Sequence, residues 1–171
     1  PDTGEDVPQG QPGELWFRTP QLMQGYHNKP EATREAITED GWFRTGDIGR
    51  IDDGGFIFVE DRLKDMIISG GENIYSVEVE RALTDHPAVG DAAVFGIPDD
   101  KWGESVKAVV ELSAGGEATP EELIAWCKEK LAGYKCPRSV EIMEVLPRNP
   151  TGKLLKKDLR KPYWEKRERA I

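Results

Sequence analysis

The chain has 171 residues, 37% of them hydrophobic and 32% charged, with 23 Lys or Arg against 32 Asp or Glu and a formal net charge of −9. That length suffices for one ordinary domain, or for one domain and a piece of another. The acidic balance argues against nucleic acid as a partner, because such binding draws its affinity from neutralised phosphates, and no apolar run approaches the roughly 18 residues of a membrane span.

The first third reads as β-structure. Gly13 to Thr19 alternates Leu15 and Phe17 with polar neighbours, and Trp42–Thr45 and Ile48–Asp52 follow as two short extended runs with Gly46 between them. Asp53-Gly54-Gly55 supplies the left-handed positions of a hairpin turn leading into Phe56–Val59. Pro30 to Ile37 is expected to form a short helix inserted in this meander, with Asn28 near its cap and Pro30 in its first turn.

After Glu60 strands and helices alternate. Met66-Ile67-Ile68 is a short buried strand broken by Gly70-Gly71, and Ser76 to Leu83 has helical spacing, ended by His86-Pro87. Asp91 to Ile97 is a strand, and the strict alternation of Val106, Ala108, Val110 and Leu112 predicts a half-buried partner for it. Thr119-Pro120-Glu121-Glu122 carries the signature of a capping box, opening a helix that buries Leu123, Trp126, Cys127 and Leu131 and stops at Gly133. Val140 to Met143 is the last strand. The stretch Pro147-Arg148-Asn149-Pro150-Thr151-Gly152 is too rich in turn formers for regular structure, so Lys153 stands just beyond a tight, stiff loop. The fold class is therefore α+β, with a β-rich part at 1–60, a charged pivot at 61–65 and a mixed part at 66–171.

The charge is uneven: Lys153 to Ile171 holds eight basic residues against three acidic ones, which leaves −14 for the rest. Such a basic end suits either a phosphorylated small molecule or plain solvent. Cys127 and Cys136 are too sparse for a disulfide framework and have no metal-ligand spacing, so a reducing, cytoplasmic setting is expected. His27 and His86 lie far apart without clustered Cys or carboxylate neighbours, and no metal site is expected. The opening Pro1-Asp2-Thr3-Gly4-Glu5 has neither an initiator Met nor a leader pattern and reads as part of a longer protein.

Three stretches together resemble the adenylate-forming superfamily of acyl- and aryl-CoA synthetases, luciferases and peptide-synthetase adenylation domains. They are Gly41-Trp42-Phe43-Arg44-Thr45-Gly46-Asp47, then Asp61-Arg62-Leu63-Lys64-Asp65 through Ser69-Gly70-Gly71-Glu72-Asn73-Ile74, and finally Pro147 to Lys153. The Gly-Gly-Glu-Asn-Ile form looks like the CoA ligases; Ser76 departs from the Pro common in relatives, and little consequence is expected. The resemblance implies that Pro1 to Glu60 completes a β-barrel-like part of a large N-terminal domain, and that Met66 to Ile171 is the mobile C-terminal domain. Nothing in the chain resembles the phosphate loop.

The implied reaction has two steps: a carboxylic acid, with a fatty acid favoured, attacks the α-phosphate of ATP to give acyl-AMP, and CoA then displaces AMP. Mg2+ is expected to be held mainly outside this chain. In the matching positions Lys153 is the catalytic lysine that bridges carboxylate and α-phosphate, and Asp47 accepts hydrogen bonds from the ribose hydroxyls. Arg62 lies near the nucleotide, Lys64 is the hinge, and Gly70 and Gly71 border the CoA tunnel. Taken without the resemblance, Lys153 reads as a surface lysine, Asp47 and Arg62 as a structural salt bridge or a turn-capping Asp, and the glycine pair as a simple turn or bulge. Two alternatives stay open: an acceptor on a carrier protein, and a non-catalytic binding module. Oligomeric state is not legible in the sequence.

Overall fold

The computed structural model describes residues 4–165, so Lys166, Arg167 and Arg169 of the basic end lie outside the described residues. The chain divides into two compact units, Pro1–Lys64 and Asp65–Ile171, and the expected mixture of helix and sheet is present.

In the first unit, β1 (Gly13–Phe17), β2 (Phe43–Ile51) and β3 (Ile57–Arg62) form an open antiparallel sheet in chain order, and α1 (Pro30–Ala36) precedes β2. The two runs expected on either side of Gly46 are one strand. Gly46 takes a positive φ of 69° that costs it little without a Cβ, and its amide donates to Glu14 Oε1 at 3.0 Å, so the strand bends without ending. Across it the register with β1 shifts between Glu14 and Trp16, which pair with Ile48 and Arg44, leaving Thr45, Gly46 and Asp47 as a bulge. The β2–β3 turn is closed by Asp52, whose Oδ1 accepts from the amides of Gly54 and Phe56 at 2.9 Å each. Of its two glycines only Gly55, at φ 80°, is left-handed. The cap of α1 is Lys29, and Asn28 next to it sits at φ 54°. Phe56, Ile57, Phe58 and Val59 are all exposed, Phe56 by 69%.

The second unit contains β4 (Ile67–Ser69), β5 (Glu72–Ile74), α2 (Ser76–Thr84), β6 (Val89–Asp99), β7 (Gly103–Leu112), α3 (Pro120–Lys130), β8 (Ser139–Met143) and α4 (Lys156–Trp164). Its sheet runs β5-β4-β7-β6, and β8 pairs with β7 in parallel. A parallel pair needs a long crossover, which α3 provides. The capping box at its start forms as expected: the Glu122 amide donates to Thr119 Oγ1 at 3.2 Å, and the Thr119 amide donates to Glu122 Oε2 at 2.8 Å. The Thr119 amide, with the Thr119 hydroxyl donating to the same oxygen at 3.1 Å, holds the Glu122 carboxyl below its ordinary range. The helix ends at Lys130 rather than at Gly133, with Leu131 already extended, and Trp126 is half-buried with its indole N–H on the Ala82 carbonyl at 2.8 Å.

Strand β7 departs from the expected half-burial, because both of its faces are covered. Val106, Ala108 and Val110 join Ile67, Val79, Leu83 and Leu123 beneath α2 and α3. On the other face Val109 packs with Ala93, Phe95 and Leu146, against which Met143, Leu154 and Leu159 are placed. The alternation was misleading because Lys107, only 7% exposed, buries its stem on that second face and carries its ammonium to Glu141 Oε2, 3.2 Å away.

The second face exists because the described part of the basic end is no solvated tail. Lys156 Nζ lies 2.6 Å from Glu80 Oε1 and donates to Ser76 Oγ at 2.8 Å, Arg160 approaches Asp65 at 3.6 Å, and the Trp164 indole N–H donates to the Gly96 carbonyl at 3.0 Å. Ser76 accordingly has more consequence than expected. It is fully buried in the first turn of α2 and receives a lysine from α4, whereas the cap position itself is Tyr75.

Candidate active-site residues

Lys153 is exposed and follows a loop held by hydrogen bonds rather than by packing. Asn149 Oδ1 accepts from the Thr151 amide at 3.0 Å, the Thr151 hydroxyl at 2.7 Å and the Lys153 amide at 2.9 Å. Along the backbone, Asn149 N–H donates to the Lys153 carbonyl, Gly152 N–H to the Asn149 carbonyl and Leu155 N–H to the Pro147 carbonyl, each at 2.9 Å. Gly152, at φ 84°, makes the reversal possible. Arg148 ties the loop to the body: one terminal nitrogen donates to the Gly152 carbonyl at 3.0 Å and the other pairs with Asp91 on β6. Directly before Pro147, Leu146 enters the second core at 1% exposure and its amide donates to Glu111 Oε2 at 2.8 Å. The stiffness that the sequence suggested through Pro150 and Gly152 thus comes chiefly from Asn149 and Arg148. Neither stood out from the sequence as more than a turn former, because the partners of Arg148 are set by the fold.

Asp47 and Arg62 face each other across β2 and β3 as register partners, with Arg62 Nε 3.4 Å from Asp47 Oδ1. Their side chains are 35% and 46% exposed, so the pair is open to solvent and is also the salt bridge considered as the plainer alternative. The bulge at Gly46 sets the direction of Asp47, and the Asp47 amide donates to Thr45 Oγ1 at 3.0 Å. Lys64 is exposed within a single 3-10 turn, Leu63–Asp65, at the junction of the two units. Gly70 and Gly71 are the central residues of a two-residue hairpin joining β4 to β5, with φ of 63° and 85° and Ser69 paired to Glu72. A Cβ on Gly70 would come within 2.8 Å of the Trp102 ring, whereas one on Gly71 would meet nothing within 4 Å. Both glycines are exposed, but they differ in that a side chain on Gly70 would meet the Trp102 ring whereas one on Gly71 would enter open space.

Of the residues singled out from the sequence, the structure brings Asp47 and Arg62 into contact and makes Gly70 and Gly71 one turn. Lys153 stands in the second unit on its own loop. Among the described residues no cluster of three or more His, Cys, Asp or Glu could hold a metal ion, and no helix is long and apolar enough to cross a membrane.

A bulged strand carries Gly-Asp, a charged turn joins two compact units and a lysine stands on a hydrogen-bonded loop. Comparison with known proteins gives a domain family for part of the chain. Residues 78–153 match the AMP-binding enzyme C-terminal domain. The chain is 49% identical over 161 residues to a feruloyl-CoA synthase of Amycolatopsis sp, covering 94% of this chain and 33% of that protein. It is likewise 49% identical over 151 residues to a long-chain-fatty-acid–CoA ligase of Mycobacterium tuberculosis, covering 88% and 30%. The solved structure of o-succinylbenzoate-CoA synthetase from Bacillus subtilis, in complex with its acyl-adenylate intermediate, matches with a TM-score of 0.81 at 42% identity over 90% of this chain and 31% of that one. The chain thus spans about a third of the length of the curated relatives it matches.

Proposed function

We propose that this chain is the C-terminal part of an AMP-forming acyl-CoA ligase and supplies the adenylating lysine. The observation that carries this reading is the exposed Lys153 on a loop whose backbone is fixed by hydrogen bonds. In the first step a carboxylate oxygen attacks the α-phosphorus of ATP, the bond to pyrophosphate breaks, and acyl-AMP forms. Two anions must approach each other. An ammonium held in place lowers that cost and stabilises charge shifting onto the phosphoryl oxygens. Asp47 accepts from the ribose hydroxyls, while Arg62 orients Asp47 and offers its remaining donors to the nucleotide.

In the second step the CoA sulfur attacks the acyl carbonyl, AMP leaves with the bonding electrons, and the thiol proton passes to solvent or base. Lys153 has no work there. Rotation about Lys64, between the two compact units, would exchange it for the Gly70–Gly71 turn, whose open side at Gly71 suits a thin pantetheine arm. Among the described residues no three His, Cys, Asp or Glu gather to hold a metal ion, and Mg2+ is proposed to be held mainly outside this chain.

CoA is favoured over a carrier protein as acceptor because the relatives reported above are CoA ligases. A fatty acid is the first substrate to test, although equal identity to a feruloyl and a long-chain fatty-acyl enzyme keeps aryl acids in the same assay. The exposed apolar run Phe56–Val59 supports a larger β-rich domain built onto the first unit, and the chain by itself is proposed to be inactive, since Lys153 then has no substrate held against it. The free, buried Cys127 and Cys136 suit a reducing, cytoplasmic compartment.

The test is Lys153→Ala in the full-length ligase. Acyl-dependent pyrophosphate release should fall by about 100-fold or more, while thioester formation from supplied acyl-AMP persists. Undiminished pyrophosphate release would refute the reading.

A further inference from the structure

We propose that Asn149 is a positioning residue for adenylation, acting through the backbone of Lys153; this rests on the role of Lys153 given above. A lysine side chain has four rotatable bonds, so its ammonium reaches a defined point only if its Cα is held firmly. The loop that holds it is exposed from Pro150 to Lys153, and core contacts resume only at Leu154. Hydrogen bonds must therefore do what packing does elsewhere.

They converge on residue 149. Its side-chain oxygen receives the amides of Thr151 and Lys153 and the hydroxyl of Thr151, its carbonyl receives the Gly152 amide, and its own amide donates to the Lys153 carbonyl. Both backbone polar groups of Lys153 are thus bound to one residue. Pro150 cannot share the task, having no N–H to donate. Arg148 then fastens the whole turn to β6 through Asp91 and to the Gly152 carbonyl.

Asn149 is itself half-buried, but its side-chain oxygen bonds only within the exposed loop and it belongs to neither core cluster, so shortening it should leave the fold nearly untouched. It should instead release the lysine. A displacement near 1 Å at a reacting group is enough for about a 100-fold loss of rate.

The experiment uses the full-length ligase with Asn149→Ala, Asn149→Asp and Lys153→Ala, each assayed for acyl-dependent pyrophosphate release and for thioester formation from supplied acyl-AMP. Asn149→Ala should slow the first by about 10- to 100-fold and leave the second unchanged. Asn149→Asp, which keeps the acceptor oxygen, should recover most of that loss. In this chain, amide hydrogen exchange at Thr151 and Lys153 should quicken in the Ala variant alone, with the melting temperature unmoved. The proposal is overturned if Asn149→Ala adenylates normally, if both half-reactions fall together, or if Asp fails to restore what Ala removes. A normal Asn149→Ala beside a crippled Lys153→Ala sinks this inference only, whereas a normal Lys153→Ala sinks the reading beneath it.

Discussion

Replacing Leu146 by Ala tests whether the second face of the sheet is a true core layer and not merely a covered surface. Leu146 is 1% exposed and packs with Ala93, Phe95 and Val109. Its shortening removes three buried carbons, worth roughly 0.8 kcal/mol each on transfer, and the unfilled space brings the total to about 3 kcal/mol. The bond from its amide to Glu111 is unaffected by the change. For a unit of roughly 100 residues each kcal/mol moves the melting temperature by about 4–8 °C, so a fall of about 12 °C or more is expected. Circular dichroism would follow the melt, and amide exchange at Val109 would report the second unit by itself. Leu154→Ala, at a half-buried neighbour, should cost visibly less. A loss below about 1 kcal/mol for Leu146→Ala would mean that the site relaxes freely and that the layer is not close-packed.

Two further outcomes are expected. Gly70→Ala should destabilise more than Gly71→Ala in urea titrations: both must hold an L-residue at positive φ, at about 1–2 kcal/mol, but only the first also drives a methyl against the Trp102 ring. Equal losses would show that Trp102 moves aside without cost. Burial pushes the Cys127 thiol up to about 11, and burial also raises Cys136. Above the pKa of an unfolded thiol the unfolded chain releases protons that the native one retains. The contribution of these groups is therefore complete below about pH 8.5 and declines as pH rises toward 11. Denaturant midpoints should drop across that window in the parent and stay flatter in Cys127→Ala, and native thiols should resist alkylation at pH 8; a parallel pH response in the two proteins would remove the cysteines as its source.

The parts of this protein legible in its sequence are those whose causes lie within a few residues of each other. Thr119 and Glu122 are three positions apart and meet as a capping box whatever surrounds them. Gly70-Gly71 can only be a tight reversal, and Pro147 to Gly152 only a loop, because torsional limits act residue by residue. What escaped was set at a distance. Gly46 looked like a strand end, but Glu14, far back in the chain, binds its amide and carries the strand through. Lys107 looked like a marker of the solvent face, yet Glu141 and the ring of Tyr163 lie over it.

Sequence by itself determined the turns, the capping box and most of the strands and helices up to Met143, since local sterics and short motifs need no tertiary context. Only the tertiary structure decided that the basic end folds back as α4, that Ser76 and Glu80 meet Lys156, and that Arg148 and Asp91 brace the loop of Lys153. Charges and hydrogen bonds act over a few ångströms of space, and those pairs lie 57 to 80 residues apart along the chain or face each other only once the helices have docked.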